Sequence, residues 1–248
     1  SGSWAQLGSD IDGGSGIQTL GRSVALSSDG TILAAGALYN SNPNNAGVVR
    51  VLQFSSNSWT QLGSDIVGEA ADDNSGGSVS LNSDGTIVAI GAQYNDGAGS
   101  NAGHVRVHQF SSGSWTQLGG DIDGEAASDE FGQTVSLSSD GTILAVGTQL
   151  NDGNGANAGH VRVHQFSSGS WTQLGADIDG EAAGDKSGTS VSLSWDGTIL
   201  AVGARLNDDN GQYSGHVRVY EWSGGSWTRL IRDLDGEAAG DEFGYAVA

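Results

Sequence analysis

The chain has 248 residues and 42 glycines, with 29 acids against 9 bases for a formal net charge of −20. A field of that sign repels nucleic acid and anionic membrane surfaces. Cysteine is absent, which excludes disulfides and thiolate metal sites, and no apolar run approaches the roughly 18 residues of a membrane span.

The chain opens on Trp4-Ala-Gln-Leu7, the first of five related segments. Their tryptophans, Trp4, Trp59, Trp115, Trp171 and Trp227, stand 55, 56, 56 and 56 residues apart. Internal repeats of this length point to stacked or radially arranged units. The short first interval falls in the loop Leu38 to Ala46, where a residue can be lost without disturbing strand register.

Each unit reads as four strands, seen most clearly in the third. Val135 to Ser138 alternates apolar and polar, the pattern of a strand with two different faces. Asp140-Gly141 then signals a two-residue hairpin. Thr142 to Gly147 is continuously apolar, as in a strand covered on both sides; Ile143, Leu144, Ala145, Val146 and their counterparts are therefore expected to be buried. After a loop rich in glycine and asparagine, Val161 to Phe166 alternates again, and Ser167 to Ser170 turns the chain into Trp171 to Leu174. The expected architecture is all-β, of β-propeller type, with four antiparallel strands per blade of about 56 residues. Units run over 20–75, 76–130, 131–186 and 187–242 of one repeat domain, with lone strands in 1–19 and 243–248.

Phe131-Gly132, followed by Val135 to Gly141 and Ala145-Val-Gly-Thr148, resembles the landmarks that name FG-GAP repeats. The Ser-Trp-Thr strand is similar to that of a mostly microbial branch found in secreted or surface proteins; the resemblance to the propeller repeats of integrin alpha chains is more distant. The resemblance implies a propeller and an extracellular setting. The phenylalanine is replaced at Leu20, Ser75 and Ser187, and the calcium loop of the integrin type is reduced to Ser-Asp-Gly at Asp29, Asp84, Asp140 and Asp196. One carboxylate in a tight turn falls short of the six to eight oxygens that calcium takes.

The most acidic feature joins one unit to the next. Asp121, Asp123 and Asp129, echoed by Asp177, Asp179 and Asp185 and again over 233–241, could present hard oxygens to calcium. The competing reading is that these aspartates cap turns through their own backbone. The loop Asn151 to Gly155 and its relatives at Asn95 and Asn207 have turn chemistry of the same kind. All five histidines, His104, His108, His160, His164 and His216, lie on third strands; two on one strand at i and i+4 are about 13 Å apart, too far to share an ion, so a polar blade face is expected. Among symmetry-breaking residues, Trp222 suits the core, whereas Trp195 and Lys186 are placed in loops.

No nucleophile motif or phosphate-cradling loop is present, and an enzyme is not expected. The sequence points to a structural or adhesive repeat module of an extracellular or surface protein, acting by multivalent contacts; the alternative is a carbohydrate-binding propeller. Partners would be further repeats, copies of the chain, or glycans. Because the lone terminal strands lack their middle partners and no methionine is present, the chain is expected to form part of a longer array or an assembly.

Overall fold

A computed structural model describes residues 3–40 and 45–248. Among these residues there is no helix, and besides a two-stranded pair of Ile17–Gln18 with Tyr39–Asn40 the strands form four successive antiparallel sheets. The first comprises Ser23–Leu26, Ile32–Ala37, Val48–Ser55 and Ser58–Gln61; the second Ser78–Leu81, Ile87–Ala92, His104–Ser111 and Ser114–Gln117. The third comprises Thr134–Leu137, Ile143–Thr148, His160–Ser167 and Ser170–Gln173; the fourth Ser187–Leu193, Ile199–Ala204, His216–Ser223 and Ser226–Arg229. Strands pair in chain order within each sheet, the arrangement of a propeller blade.

The outer strand is broken. Ser170–Gln173 pairs with the second half of His160–Ser167, and after a short excursion Ile178–Asp179 pairs with the first half of that same strand. All four blades share this fifth segment, so much of the acidic joining loop continues the blade edge, and Asp65, Asp121, Asp177 and Asp233 fall at the break.

Packing between blades explains the continuous apolar run. In Ile143–Thr148, Ile143 and Ala145 join a core cluster with Val191, Leu200 and Val202 of the fourth blade, whereas Leu144 and Val146 join one with Ile87, Ala89 and Val105 of the second. Successive side chains of a strand point to opposite faces, so a strand between two blades must be apolar at every position. The second strands of blades two and three are buried throughout. In the outer blades the expected burial fails at Leu33, Ile199 and Ala201, which are half-buried, because one face there has no blade against it.

Two further contacts lock neighbouring blades. A Cβ on Gly147 would fall inside the van der Waals radius of the Gly188 carbonyl oxygen, and Thr134 Oγ1 donates to that same oxygen at 3.0 Å; glycine is required by this backbone approach. At the rim, Trp171 Nε1 donates to Leu118 O at 2.8 Å, and Trp59, Trp115 and Trp227 repeat the bond to Leu7, Leu62 and Leu174. Each indole also tilts against the aromatic ring of its own third strand, Phe166 in the case of Trp171.

Several expectations need correction. The Asp-Gly turns are not two-residue loops: Ser138 N donates to Ile143 O and Gly141 N to Ser138 O, leaving four residues between the closing pair. Trp222 is half-buried, paired with Trp227, not enclosed in the core. Trp4 to Leu7 forms no strand, and the Phe243 segment contributes only a bridge to Gly215, since a strand needs a neighbouring ladder to satisfy its backbone.

Candidate inter-blade acid and histidine site

The third strand begins with His-Val-Arg-Val in blades two to four. Val105 and Val107, like Val161 and Val163, enter the core between that blade and the next. His104, His160 and His216 are displayed on the opposite face and are 1, 1 and 2 % exposed. Two residues on, Arg106, Arg162 and Arg218 reach back to the loop of the preceding blade, where they pair with Glu69, Glu125 and Glu181. The blade's own aspartate, at the break in its outer strand, closes the arrangement. Arg162 Nε is 3.3 Å from Asp177 and Arg218 Nη2 is 3.1 Å from Asp233.

These side chains converge. Glu69, His104 and Asp121 form one group and Glu125, His160 and Asp177 a second. Glu181, Asp209, His216 and Asp233 form a third, and in every group the ligand atoms lie within 4.8 Å of one another. His160 Nδ1 is 3.9 Å from Asp177 Oδ2. Burial pushes the pKa values of His104 and His160 down, which leaves the imidazoles neutral and in the form that binds metal. Further along the same strands, burial and then the neighbouring arginines lower His108 and His164 to about 4. An imidazole beside two or three carboxylates can hold a metal ion.

Of the aspartates singled out in the sequence, Asp121 and Asp177 enter these groups. Asp123 and Asp179 are exposed and outside them, opposite His104 and His160 in the strand register. Asp129 and Asp185 are buried and committed to turns: they accept from Asn151 and Asn207 Nδ2 at 2.9 and 3.1 Å, and Asp185 also from Ala182 N. Asp196, in its hairpin, is likewise engaged. The hydroxyls of Ser194 and Thr198 and the Thr198 N–H lower its pKa to about 2.

Sequence reasoning named the acidic loops, that over 233–241 included, but missed Glu69, Glu125, Glu181 and Asp209 as partners across them, and it passed over the histidines as ligands. A signal was available: each glutamate precedes its histidine by 35 residues, and each histidine its aspartate by 17. Where the first repeat has Gly14 for the glutamate, it also has Val48 for the histidine, so the two are lost together.

A second concavity of about 400 Å³ touches all four blades. It is lined chiefly by polar side chains, among them Gln93, Glu130, Gln133 and Arg205, and by Tyr245, whose ring lies 5.5 Å from the Arg205 guanidinium. Trp195 stands 78 % exposed on its hairpin loop, away from both sites.

Residues 122–163 and 176–220 match the model of the FG-GAP repeat. No curated protein matches the chain. Among solved structures, a putative 6-phosphogluconolactonase from Bacteroides uniformis is 13% identical, with a TM-score of 0.59 over 86% of this chain and 54% of that one. Sqt1 from Chaetomium thermophilum is 16% identical, with a TM-score of 0.53 over 84% of this chain and 44% of that one. The β-propeller domain of the Trilobed protease from Pyrococcus furiosus is 12% identical, with a TM-score of 0.50 over 88% and 59%. The chain thus spans about half the length of these structures, and the likeness is one of fold alone.

Proposed function

We propose that this chain, which carries FG-GAP repeats at 122–163 and 176–220 on a propeller-type frame, is a non-enzymatic structural or adhesive module of an extracellular or surface protein. The observation that carries the reading is the rim contact made identically in successive units: an indole N–H donates to a leucine carbonyl of the preceding repeat at 2.8–3.0 Å in all four blades. Such a contact fixes each unit's pose on the last, so equivalent outer surfaces recur at a constant step. Weak contacts on a rigid, regularly spaced surface sum by multivalency.

Partners of this surface would be further repeats, other copies of the chain, or glycans. Calcium would be a weak auxiliary ligand at the exposed Asp121 and Asp123 and at Asp177 and Asp179; calorimetry on Asp121→Asn/Asp123→Asn tests that assignment. The adhesive reading itself is tested by displaying the chain at low and high density on beads and measuring retention on glycan arrays and on surfaces coated with the same chain. Retention rising steeply with density is expected. Tight binding by a single copy at one blade would overturn it in favour of a lectin with a discrete site.

A further inference from the structure

The three inter-blade groups are not equivalent, and the difference lies at one residue. The loops beginning at Asn95 and Asn151 continue Asp96-Gly97 and Asp152-Gly153; the fourth blade reads Asn207-Asp208-Asp209. The backbone is shared: Gly97, Gly153 and Asp209 each donate N–H to the side-chain oxygen of the preceding asparagine, at 2.8, 2.8 and 3.0 Å. Neither glycine has positive φ, so a side chain there is not strained by the backbone dihedral and presses only on the asparagine Oδ1, at 2.8 Å for a Cβ on Gly97 and 2.9 Å for one on Gly153. Asp209 takes the place of a hydrogen and sends a carboxylate into the group of Glu181, His216 and Asp233.

A second observation supplies the nitrogen of this group, where the imidazole is left as short of a partner as His104 Nε2 is in the second blade. His216 is 2 % exposed, and its Nδ1 is buried without a hydrogen-bond partner. In the preceding repeat this same nitrogen faces the aspartate, His160 Nδ1 to Asp177 Oδ2 at 3.9 Å. A buried, unpaired nitrogen among carboxylates lacks what a metal ion would supply.

We propose that Glu181, Asp209, His216 and Asp233 form a site for a divalent first-row transition cation such as Zn²⁺ or Co²⁺. Three facts support the class. The donor set mixes one imidazole with three carboxylates, which suits these borderline cations, whereas calcium favours an all-oxygen shell of six to eight ligands. Four protein ligands match tetrahedral coordination; bonds of about 2.0–2.1 Å place ligand atoms roughly 3.4 Å apart, so a group spanning up to 4.8 Å must contract by up to about 1.4 Å. Glu181 and Asp209 are exposed and belong to loops, which gives the ion a path in and leaves the ligands free to close.

The local charge balance of the fourth group matches that of the others. In blades two and three, two carboxylates stand against one arginine. In the fourth, three stand against Arg218, which bridges Glu181 and Asp233, while Arg229 holds Asp233 from the solvent side and is half exposed. The additional carboxylate offsets Arg229, so the group keeps the same excess of one acid while gaining a fourth ligand.

The test is titration of the full chain with Co²⁺, read by visible absorption, followed by displacement with Zn²⁺ and a challenge with Ca²⁺. One equivalent of Co²⁺ should bind, yield to Zn²⁺ and resist equimolar Ca²⁺. Asp209→Gly, which restores the residue of the other repeats and their backbone, should weaken binding by an order of magnitude or more at unchanged thermal stability. His216→Val, the residue that the first repeat carries at Val48, should remove the nitrogen-ligand signature from the spectrum. Absence of Co²⁺ binding, undiminished affinity in Asp209→Gly, three equal sites per chain, or displacement by equimolar Ca²⁺ would each overturn the proposal.

Discussion

Ala145→Asp tests whether a blade is sandwiched as described. Ala145 is fully buried on the second strand of the third blade, facing Val191, Leu200 and Val202 across the boundary with the fourth. No cation lies in that cluster to pair with a carboxylate, so the new group must be buried neutral. Holding an aspartate protonated at pH 7 against an unfolded pKa near 3.9 costs about 4 kcal/mol. Forcing the added atoms into a packed core adds about 1–3 kcal/mol. The sum of roughly 5–7 kcal/mol rivals the whole stability of an ordinary domain. Its first part depends on pH. The native state of the variant retains a proton that the unfolded state releases, so above pH 4 stability should fall by about 1.4 kcal/mol per pH unit relative to wild type. Urea unfolding of wild type, Ala145→Asp and the exposed control Thr172→Asp, at pH 5 and pH 7, reads both parts. A wild-type midpoint at pH 7, or a deficit that does not shrink at pH 5, would refute the sandwiched placement.

Trp171→Phe removes the indole donor to Leu118 O while keeping an aromatic ring, and should cost about 1 kcal/mol; Trp4→Phe, at a fully exposed residue, should cost nothing, and equal thermal shifts in the two would argue against the rim contact. His108 and His164 have folded pKa values of about 4 against an ordinary 6.5, so the unfolded state takes up protons first and stability is lost as pH falls from about 6.5 towards 4. Their imidazole NMR resonances should stay flat until near pH 4, and titration of either near 6.5 would contradict the burial.

The blade plan was readable because its causes are local. Tryptophans recurring every 56 residues mark the repeat, and the unbroken Ile143 to Val146 run carries the information that both faces of a strand are covered. The break in the outer strand was not readable, since Asp121-Ile-Asp looks like turn chemistry until Ile122 is seen pairing with Val105. The site was half legible. Asp121 and Asp177 stood out as acids in a loop, but their partners come from elsewhere: Glu69 and Glu125 lie in the preceding blade's loop, and His104 and His160 on a strand. Measuring histidine to histidine along one strand gives a true distance and misses the carboxylates that approach from the neighbouring blade. Asp209 was hidden for a different reason, since a single glycine-to-aspartate change inside a polar loop alters neither composition nor periodicity.

The glycine approach and the rim contact share a property that bears on how the chain acquires its structure. Among the described residues, hydrogen bonds between blades join positions up to 57 apart and none joins positions farther apart. A growing chain therefore meets every partner of a blade within about one repeat of synthesis. The loop-closure entropy of docking the fourth blade is the same as that of docking the second. Ordering can begin at any adjacent pair and spread in both directions, with free energy accruing one interface at a time. Adding a whole repeat should lengthen folding by one further docking step of the same kind and leave the intrinsic rate of each step unchanged.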